Sequence, residues 1–543
     1  MLSGFNPGDR NPQFIKWHPK WQRQRHCIEG EDRIKQTDVD DKYLPRLDGQ
    51  EGDKYEFRMN PDHAITSYEA YKHRATFLNA TGRTVDGLVG AITRKKPDLN
   101  WPEADLEQLE TVGYCLESFD EIIDEALNEV IGVGRFGHLV DLPPEGDEVN
   151  PEPYIVSYHA ESITNWMSEM VGSRKKTTCV TLSERSGVSH MYEDREVERF
   201  RVLRLGVPVP ETDAEQKMSD EEFLALFGLQ VSDFDDGPIY FQEVWVEVEG
   251  SEDDGVSSRD YHRAEIIVPR AAGGMLLDEI PFTFFNPMGT KPKCEKPPLL
   301  DLCVLNLSHY RNTADHEHGL HFTALPQPFA AGFQFDGNIH IGSGVAWVSE
   351  NAQANCGYME FTGQGLGAIE RTMERKQKQM AMLGGRLLEE QATGSHAETA
   401  ETVKLRHSGE QSVLARMSLS VAEGLSRSLV FLRRFRSQSE DVSVKLNLDF
   451  GVEGLDPKML TALMQQVHSG LMSWDTYVYN MRRGELYQEG WSNDDEAAAI
   501  QAGPPTSANA VLDPRRDEQP DDEADDEEQP LDEEDDAEAV DGD

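Results

Sequence analysis

A helix entered through two prolines is the firmest constraint in this chain. Residues 280–326 read IPFTFFNPMGTKPKCEKPPLLDLCVLNLSHYRNTADHEHGLHFTALP. A short apolar strand, 280–285, leads through a Pro/Gly/Lys connector to Pro297-Pro298. Proline suits the first turn of a helix, where its missing N–H would find no partner anyway. At about 100° per residue, Leu300, Cys303, Val304, Leu307, Ala314, His318 and Phe322 fall on one side, and His309, Asn312 and His316 on the other. The pattern predicts one long amphipathic helix that stops before Pro326.

The chain before it reads as helical. Residues 19–36 carry Trp21, Ile28 and Ile34 as apolar anchors. A second helix is expected from Asn60-Pro61 through Ala80 to Lys96-Pro97, with Tyr68, Tyr71, Ala75 and Leu78 on one face. A third, 106–131, repeats Leu109, Val112, Leu116, Phe119, Ile122, Ile123, Ala126 and Val130 at three- and four-residue steps. Gly132, Gly134 and Gly137 then match G-x-G-x-x-G. A dinucleotide site needs a strand leading into that motif and a helix leading out, so that the pyrophosphate meets a helix N-terminus. Here the helix leads in and a strand, 138–142, leads out, which predicts a plain helix-to-strand turn.

Between 154 and 285 the period drops to two. Strands are expected at 154–158, 177–182, 199–205, 239–248 and 265–268, with a short helix at 220–227 inside the insertion 207–236 and an exposed acidic loop at 249–260. Residues 326–362 are strand-like again. Phe333 and Phe335 precede Asp336-Gly337, a favoured hairpin dipeptide, and Ile339, Ile341, Val345, Trp347, Tyr358 and Phe361 continue the theme. Gly363, Gly365 and Gly367 hinge into a second long helix, 366–391. Its Ile369, Met373, Met380, Leu383 and Leu387 share a sector opposite Arg371, Arg375, Lys378, Met382 and Arg386. Ala392, Thr393, Gly394, Ser395 and His396 interrupt it with small residues. A third long helix, 397–436, spaces Leu414, Met417, Val421, Leu425 and Leu432 for burial, with Gly409 or Gly424 as the candidate kink. A strand at 442–450 and helices at 457–469, 474–482 and 494–501 follow. The last stretch is nearly devoid of apolar side chains and cannot offset the entropy of ordering.

Length and charge bound the function. At 543 residues the chain exceeds one core, and roughly 100–200 residues per domain predicts three or four units. The formal charge is -48, and residues 513–543 hold eighteen carboxylates against two arginines. Firm nucleic-acid binding comes from Lys and Arg displacing counterions on phosphates, so this balance argues against a protein that wraps DNA. A wall that repels phosphate instead suits a conduit past which a duplex slides. Six scattered cysteines without a CxxC pair predict free, mostly buried thiols in a reducing compartment. The N-terminus lacks a basic-then-apolar leader, and no window approaches the roughly 18–20 apolar residues of a membrane span. The expected product is soluble and cytosolic when made.

The string PPLLDLCVLNLSHYRNTADHEHGLHF with IPFTFFNP before it, SYEAYKHRATFLNATGRTVDGLVGAITRKKP at 67–97, and the segments 363–401 and 473–500 together resemble the portal proteins of tailed bacteriophages, in a divergent subfamily. The resemblance implies an α+β, portal-type fold. Residues 1–150 would be the helical part of a wing and 151–285 its β-rich part. The first stem helix would be 286–325, the clip 326–362, the second stem helix 363–391 and the tunnel loop 392–396. A long helix and strand of the wing would take 397–450, a helical crown-like region 451–512 and a disordered acidic tail 513–543. The resemblance also implies a closed ring of about twelve copies at one vertex of the virion capsid, assembled in the host cytoplasm. Its partners would be the major capsid protein and scaffold, the terminase large subunit, head–tail adaptors, and double-stranded DNA passing through without regard to sequence. Phe333, Phe335, Asp336, Gly337, Ile339, Ile341 and Trp347 would meet terminase or adaptor. Ala392, Thr393, Gly394, Ser395 and His396 would reach toward DNA, and Arg371, Arg375, Lys378 and Arg386 would line the bore. No cofactor, metal or membrane is implied.

One stretch, Asp315-His316-Glu317-His318-Gly319-Leu320-His321, holds ligand-type residues. Zinc needs three or four donors converging at about 2 Å. On a helix His318 and His321 share a side with the apolar stripe while His316 points nearly opposite, so packed or interface histidines are expected. The sequence has no Walker loop, G-x-S-x-G elbow or H-E-x-x-H helix. Any DNA movement would therefore need a separate ATPase, and catalysis is not expected. Two other readings compete: a metal-dependent hydrolase using His318 and His321, and another oligomeric virion scaffold.

Overall fold

The computed structural model describes residues 6–37, 42–47, 67–143, 152–190, 193–212, 215–235, 237–247, 261–324, 327–333, 348, 351–359, 363, 365–384, 400–448, 450, 457–483 and 498. They fall into two units, Met1–Phe450 and Gly451–Asp543.

In the first unit, caps decide where helices start. α1 (Pro12–Glu29) opens on a proline and is capped by Asn11, whose side chain accepts from the Gln13 N–H at 2.9 Å. It starts well before the expected 19–36, so Pro19 lies inside it, and Gly30 separates it from α2 (Glu31–Thr37). α3 (Ser67–Arg74) and α4 (Ala80–Thr93) stand where one helix was expected. Asn79 makes the break: its side chain accepts from the Gly82 N–H at 2.8 Å, and an acceptor offered this way competes with helix continuation. Tyr68, Tyr71 and Ala75 are buried as expected, but Leu78, within the break, is exposed.

After β1 (Asp98–Asn100), the expected helix 106–131 is likewise two pieces: a 3-10 stretch (Glu103–Leu109) and α5 (Phe119–Gly132). A reciprocal capping box between Ser118 and Glu121 fixes the start of α5. Leu109 and Val112 still reach the core, whereas Leu116 is exposed with φ 68°. Gly134, at φ 85°, then turns α5 into β2 (Phe136–Asp141), the helix-in, strand-out order read from the glycines. A Cβ on Gly134 would stand 2.9 Å from the Pro297 Cα, so this turn packs directly on the proline entry to the long helix.

β2 is the centre of a three-stranded antiparallel sheet, flanked by β3 (Tyr154–His159) and the later β11. A separate five-stranded meander comprises β4 (Ile163–Val171), β5 (Arg174–His190), β6 (Glu193–Gly206), α6 (Asp220–Ala225) in the connection, β7 (Ile239–Glu247) and β8 (Tyr261–Ile267). Four of its strands contain or overlap the expected ones. β4 was not anticipated, because register shifts at Ile163/Asn165 and Met167/Ser168 break its alternation. α6 lies where the insertion was expected to be helical and closes a small core of Phe223, Leu224, Leu229 and Ile239.

β9 (Arg270–Ala271) and β10 (Met275–Leu276) form a tight pair before β11 (Phe282–Phe285), which sets Phe282 opposite Leu139 of β2. α7 (Leu300–Ala324) stops before Pro326 as expected. β12 (Gln327–Ala331) pairs antiparallel with β13 (Asn355–Met359), and α8 (Leu366–Gly384) and α9 (Ala400–Phe435) follow. At about 1.5 Å per residue α9 spans roughly 54 Å. Its Leu414, Met417, Val421, Leu425 and Leu432 enter the main core. Gly424 does not break α9; a Cβ there would stand 2.3 Å from the Phe285 ring, so its absence lets β11 lie on the helix. β14 (Ser443–Lys445), shorter than the expected 442–450, sets Val444 opposite Leu99 of β1.

In the second unit α10 (Pro457–His468) and α11 (Trp474–Arg483) lie where the sequence placed them and meet through Leu463, Tyr477 and Val478. The class is α+β, as expected. The expected loop 249–260, the tail 513–543 and, apart from residue 498, the helix 494–501 lie outside the described residues. No described helix is long and apolar enough to cross a membrane.

Candidate functional site

α7 and α8 form an antiparallel pair with the β12–β13 hairpin between them in sequence. α7 is buried on two sides. On the first, Cys303, Leu307, Tyr310 and Ala314 join Cys27, Tyr43, Tyr71 and Phe77 in one cluster. Tyr71 donates its hydroxyl to Asp315 Oδ1 at 2.6 Å, and Arg311 Nε donates to the Tyr43 carbonyl at 2.8 Å. The Cys27 and Cys303 sulfurs are 3.3 Å apart, and both thiols are free and buried.

The second side of α7 faces α4 and α8. Asn306 Nδ2 donates to Thr81 Oγ1 at 3.1 Å. Lys376 Nζ donates to the carbonyl and the hydroxyl of Ser308, each at 2.8 Å, while Gln377 meets the His309 ring at 3.2 Å. Thr313 lies 3.7 Å from the Met373 sulfur, His316 Nε2 lies 3.3 Å from Glu370 Oε1, and Gly319 leaves room for Leu366. Numbers fall along one helix as they rise along the other, which fixes the antiparallel sense.

This geometry corrects the expected faces. His309 and His316, assigned to the outer side, are buried, while Val304 and Phe322, assigned to the apolar side, are exposed. A helix buried on two sides needs two inward stripes, and the stripe facing α8 is polar, so it carried no apolar period. In α8 the inward residues include Leu366, Met373 and Met380 at strict seven-residue spacing, joined by Lys376. That heptad was the available signal for the pairing. Leu383, placed with them, is exposed. Burial and the neighbouring Arg375 and Arg311 push the Lys376 ammonium below its usual range, and its two bonds to Ser308 hold it in the seam.

The other face of α8 is as read: Arg371, Arg375, Lys378 and Met382 are exposed. α8 carries four cations against Glu370 and Glu374, a positive element in an acidic chain. Phe333 follows β12 at the edge of the described hairpin, and Tyr358 on β13 is exposed. Phe335, Asp336, Gly337, Ile339, Ile341, Trp347, Leu387, Arg386 and the five residues Ala392, Thr393, Gly394, Ser395 and His396 lie outside the described residues.

The histidines at the far end of α7 do not converge. His316 turns to Glu370 on α8, while His318 meets the Tyr71 ring edge-on at 5.2 Å and has Arg74 Nη2 3.4 Å from its Nδ1. Burial, then Arg74 and His321, push the His318 ring below its usual pKa. A guanidinium at that nitrogen opposes a cation there. Among the described residues no group of three or more His, Cys, Asp or Glu is placed to hold a metal ion.

Residues 298–436, from the proline entry to the end of α9, match the family described as "Domain of unknown function (DUF4055)". No curated protein matches the chain. Similar solved structures include the neck of an empty GTA particle computed with C6 symmetry, 13% identical with a TM-score of 0.34 over 79% of this chain and 91% of that one. A virion of the native gene transfer agent (GTA) particle is also similar: 13% identity, TM-score 0.31, 79% of this chain and 90% of that one. So is the neck of a native GTA particle computed with C12 symmetry: 11% identity, TM-score 0.32, 73% and 88%.

Proposed function

We propose that this chain is a portal-type subunit: about twelve copies close into a ring at one vertex of a phage-like capsid, giving DNA a passage and a docking platform for the packaging and tail machinery. The observation that carries the reading is the antiparallel α7–α8 pair, which bears a β hairpin between its helices and an exposed basic face along α8. That is the stem-and-clip order implied by the resemblance of the proline-entered segment. In this reading α7 and α8 are the stem, residues 326–362 with Phe333, Phe335, Asp336, Gly337, Ile339, Ile341 and Trp347 are the clip that meets terminase or adaptor, and residues 392–396 are the loop beside DNA. Arg371, Arg375, Lys378 and Arg386 face the passage, where a few cations among many carboxylates exchange counterions with phosphate without gripping it. The Arg74 guanidinium beside His318 weighs against the hydrolase alternative.

Electron microscopy of the purified protein at moderate salt, with mass measurement, tests this. Rings with a central channel and a mass near twelve chains are expected. A chain that stays monomeric at every concentration and salt tried would overturn it.

A further inference from the structure

Two surfaces of the first unit are complementary to each other and have no residue in common. The first is a cleft of about 840 Å³ where α1, the connector after β11 and α9 meet. Its apolar lining includes buried Met417 and Cys294, half-buried Trp17 and exposed Met288 and Val413, and exposed Lys16, Lys293 and Arg416 line it too, with Arg416 Nη1 3.3 Å from the Met288 sulfur. Lys296 also lines it but is paired with Asp301 at 2.6 Å, and Glu295, the lone carboxylate there, is occupied by the Met288 N–H at 2.9 Å. Lys16 stands 5.3 Å from the Trp17 ring centre, next to the apolar lining. On a chain of formal charge -48, a cleft with this surplus of cations is an exception.

The second surface is the insertion between β6 and β7, residues 207–237. In sequence it holds nine carboxylates against one lysine. It also exposes Val207, Val209, Met218, Leu226 and Val231, by 40–64% of their surface. Its own small core is already closed by Phe223, Leu224 and Leu229, so these five side chains are surplus to its folding. Exposed apolar groups rimmed by one sign of charge mark a contact surface.

α9 measures the separation. Arg270 holds the insertion through the Gly228 carbonyl at 2.6 Å, and Ser437, just past the end of α9, bonds to the Ala272 carbonyl at 2.8 Å. The cleft uses Met417 on the same helix, twenty residues earlier, or roughly 30 Å at 1.5 Å per residue. No residue of the insertion lines the cleft of the same copy.

We propose that the basic, apolar-lined cleft of one copy receives the acidic, apolar-studded insertion 207–237 of a neighbouring copy. Two different patches meeting make a head-to-tail contact, and such contacts close into rings when the rotation allows. An apolar lining argues for a peptide rather than a phosphate backbone, which brings no apolar group to fill it. The inference rests on the ring reading above and names the contact that builds the ring.

The test uses charge reversal in the full chain. Variant A carries Lys16→Glu, Lys293→Glu and Arg416→Glu; variant B carries Asp220→Lys, Glu221→Lys and Asp235→Lys, none of them in a capping box. Circular dichroism and thermal unfolding verify that each is folded. Mass photometry should find wild type in large assemblies and A or B alone reduced at least tenfold in assembled fraction. The A-plus-B mixture should recover large assemblies in which the two variants alternate, because the native insertion of A meets the native cleft of B and the reversed insertion of B meets the reversed cleft of A. A chain carrying all six changes should recover assembly. Wild type assembling while A and B assemble equally well overturns this contact alone, and leaves the cleft to another partner. Wild type that never assembles overturns the ring reading and this contact with it.

Discussion

Arg25 shows how single residues tie distant parts of the first unit together. Its guanidinium donates to both oxygens of Glu129 at 2.8 and 2.9 Å and to both oxygens of Glu161 at 3.0 and 2.8 Å, joining α1 to α5 and to the turn after β3. His159 Nδ1 lies 3.2 Å from the same Glu129. Burial pushes the Glu129 carboxyl up, but the bonds from His159 and Arg25 outweigh it and hold it at about 2. Glu129→Gln should cost about 1–2 kcal/mol in denaturant unfolding, because it takes one of two carboxylates from a partly buried guanidinium and leaves Glu161 to hold it. A loss below about 1 kcal/mol would contradict the clamp. The pH dependence has a definite sign. Glu129 goes from 4.5 unfolded to about 2 folded, so its stabilisation is complete above 4.5 and is lost as pH falls toward 2. His138, held down to about 3 by complete burial, and His26, at about 4, take up protons near 6.5 only when the chain unfolds. His159, raised by its bond to Glu129, works the other way near neutrality, so the unfolding midpoint should drop most steeply below pH 4.5, and the Glu129→Gln variant should lose less of it there. Nothing in the sequence marked this cluster, since Arg25 and Glu129 are 104 positions apart and neither sits in a motif.

At the scale of elements, what was legible was apolar period, and what was hidden was local capping and polar packing. α7, α10 and α11 start and stop, α8 starts and α9 ends near where period, proline and glycine put them, and residues 385–399 lie outside the described residues. The helices expected at 60–96 and 106–131 split because Asn79 and Ser118 bond to their own backbones, a competition that period alone does not register. The basic face of α8 was visible as charge at helical spacing and the heptad Leu366, Met373 and Met380 marked its seam with α7, but the polar half of that seam was hidden, because Lys376, Gln377, His309 and Ser308 read as surface residues. Gly424 was read as a kink for a similar reason: its purpose lies in Phe285, far away in sequence. Two glycines in helices separate these effects. Gly90 in α4 has nothing within 4 Å of where a Cβ would stand, so Gly90→Ala should stabilise by about 0.5–1 kcal/mol through helix propensity. Gly424→Ala gains the same propensity but drives a methyl into the Phe285 ring, and should destabilise by about 1–2 kcal/mol net. Thermal unfolding of the two variants checks this; stabilisation by both would remove the packing account of Gly424.

The whole molecule is built so that the first unit closes on itself. Its main core draws on Phe14 near the start and on Val442, Val444 and Leu446 near Phe450, and β14 returns to pair with β1 through Leu99 and Val444. The described helices of the second unit have a separate cluster around Leu463, Tyr477 and Val478. Among the described residues the two clusters have no member in common, which predicts different outcomes for two truncations. A chain ending at Phe450 keeps every residue of the main core and the β1–β14 ladder, and should unfold cooperatively within about 2 °C of the corresponding transition in the full chain. A chain ending at Phe435 loses Val442, Val444 and Leu446 and leaves Leu99 without its strand partner. Removing three buried aliphatic side chains at about 1.5–3 kcal/mol each should lower its midpoint by well over 5 °C. Calorimetry of the two truncated chains distinguishes these cases. Equal loss in both would mean that the first unit is not closed by β14, and that the boundary at residue 450 does not separate two folding units.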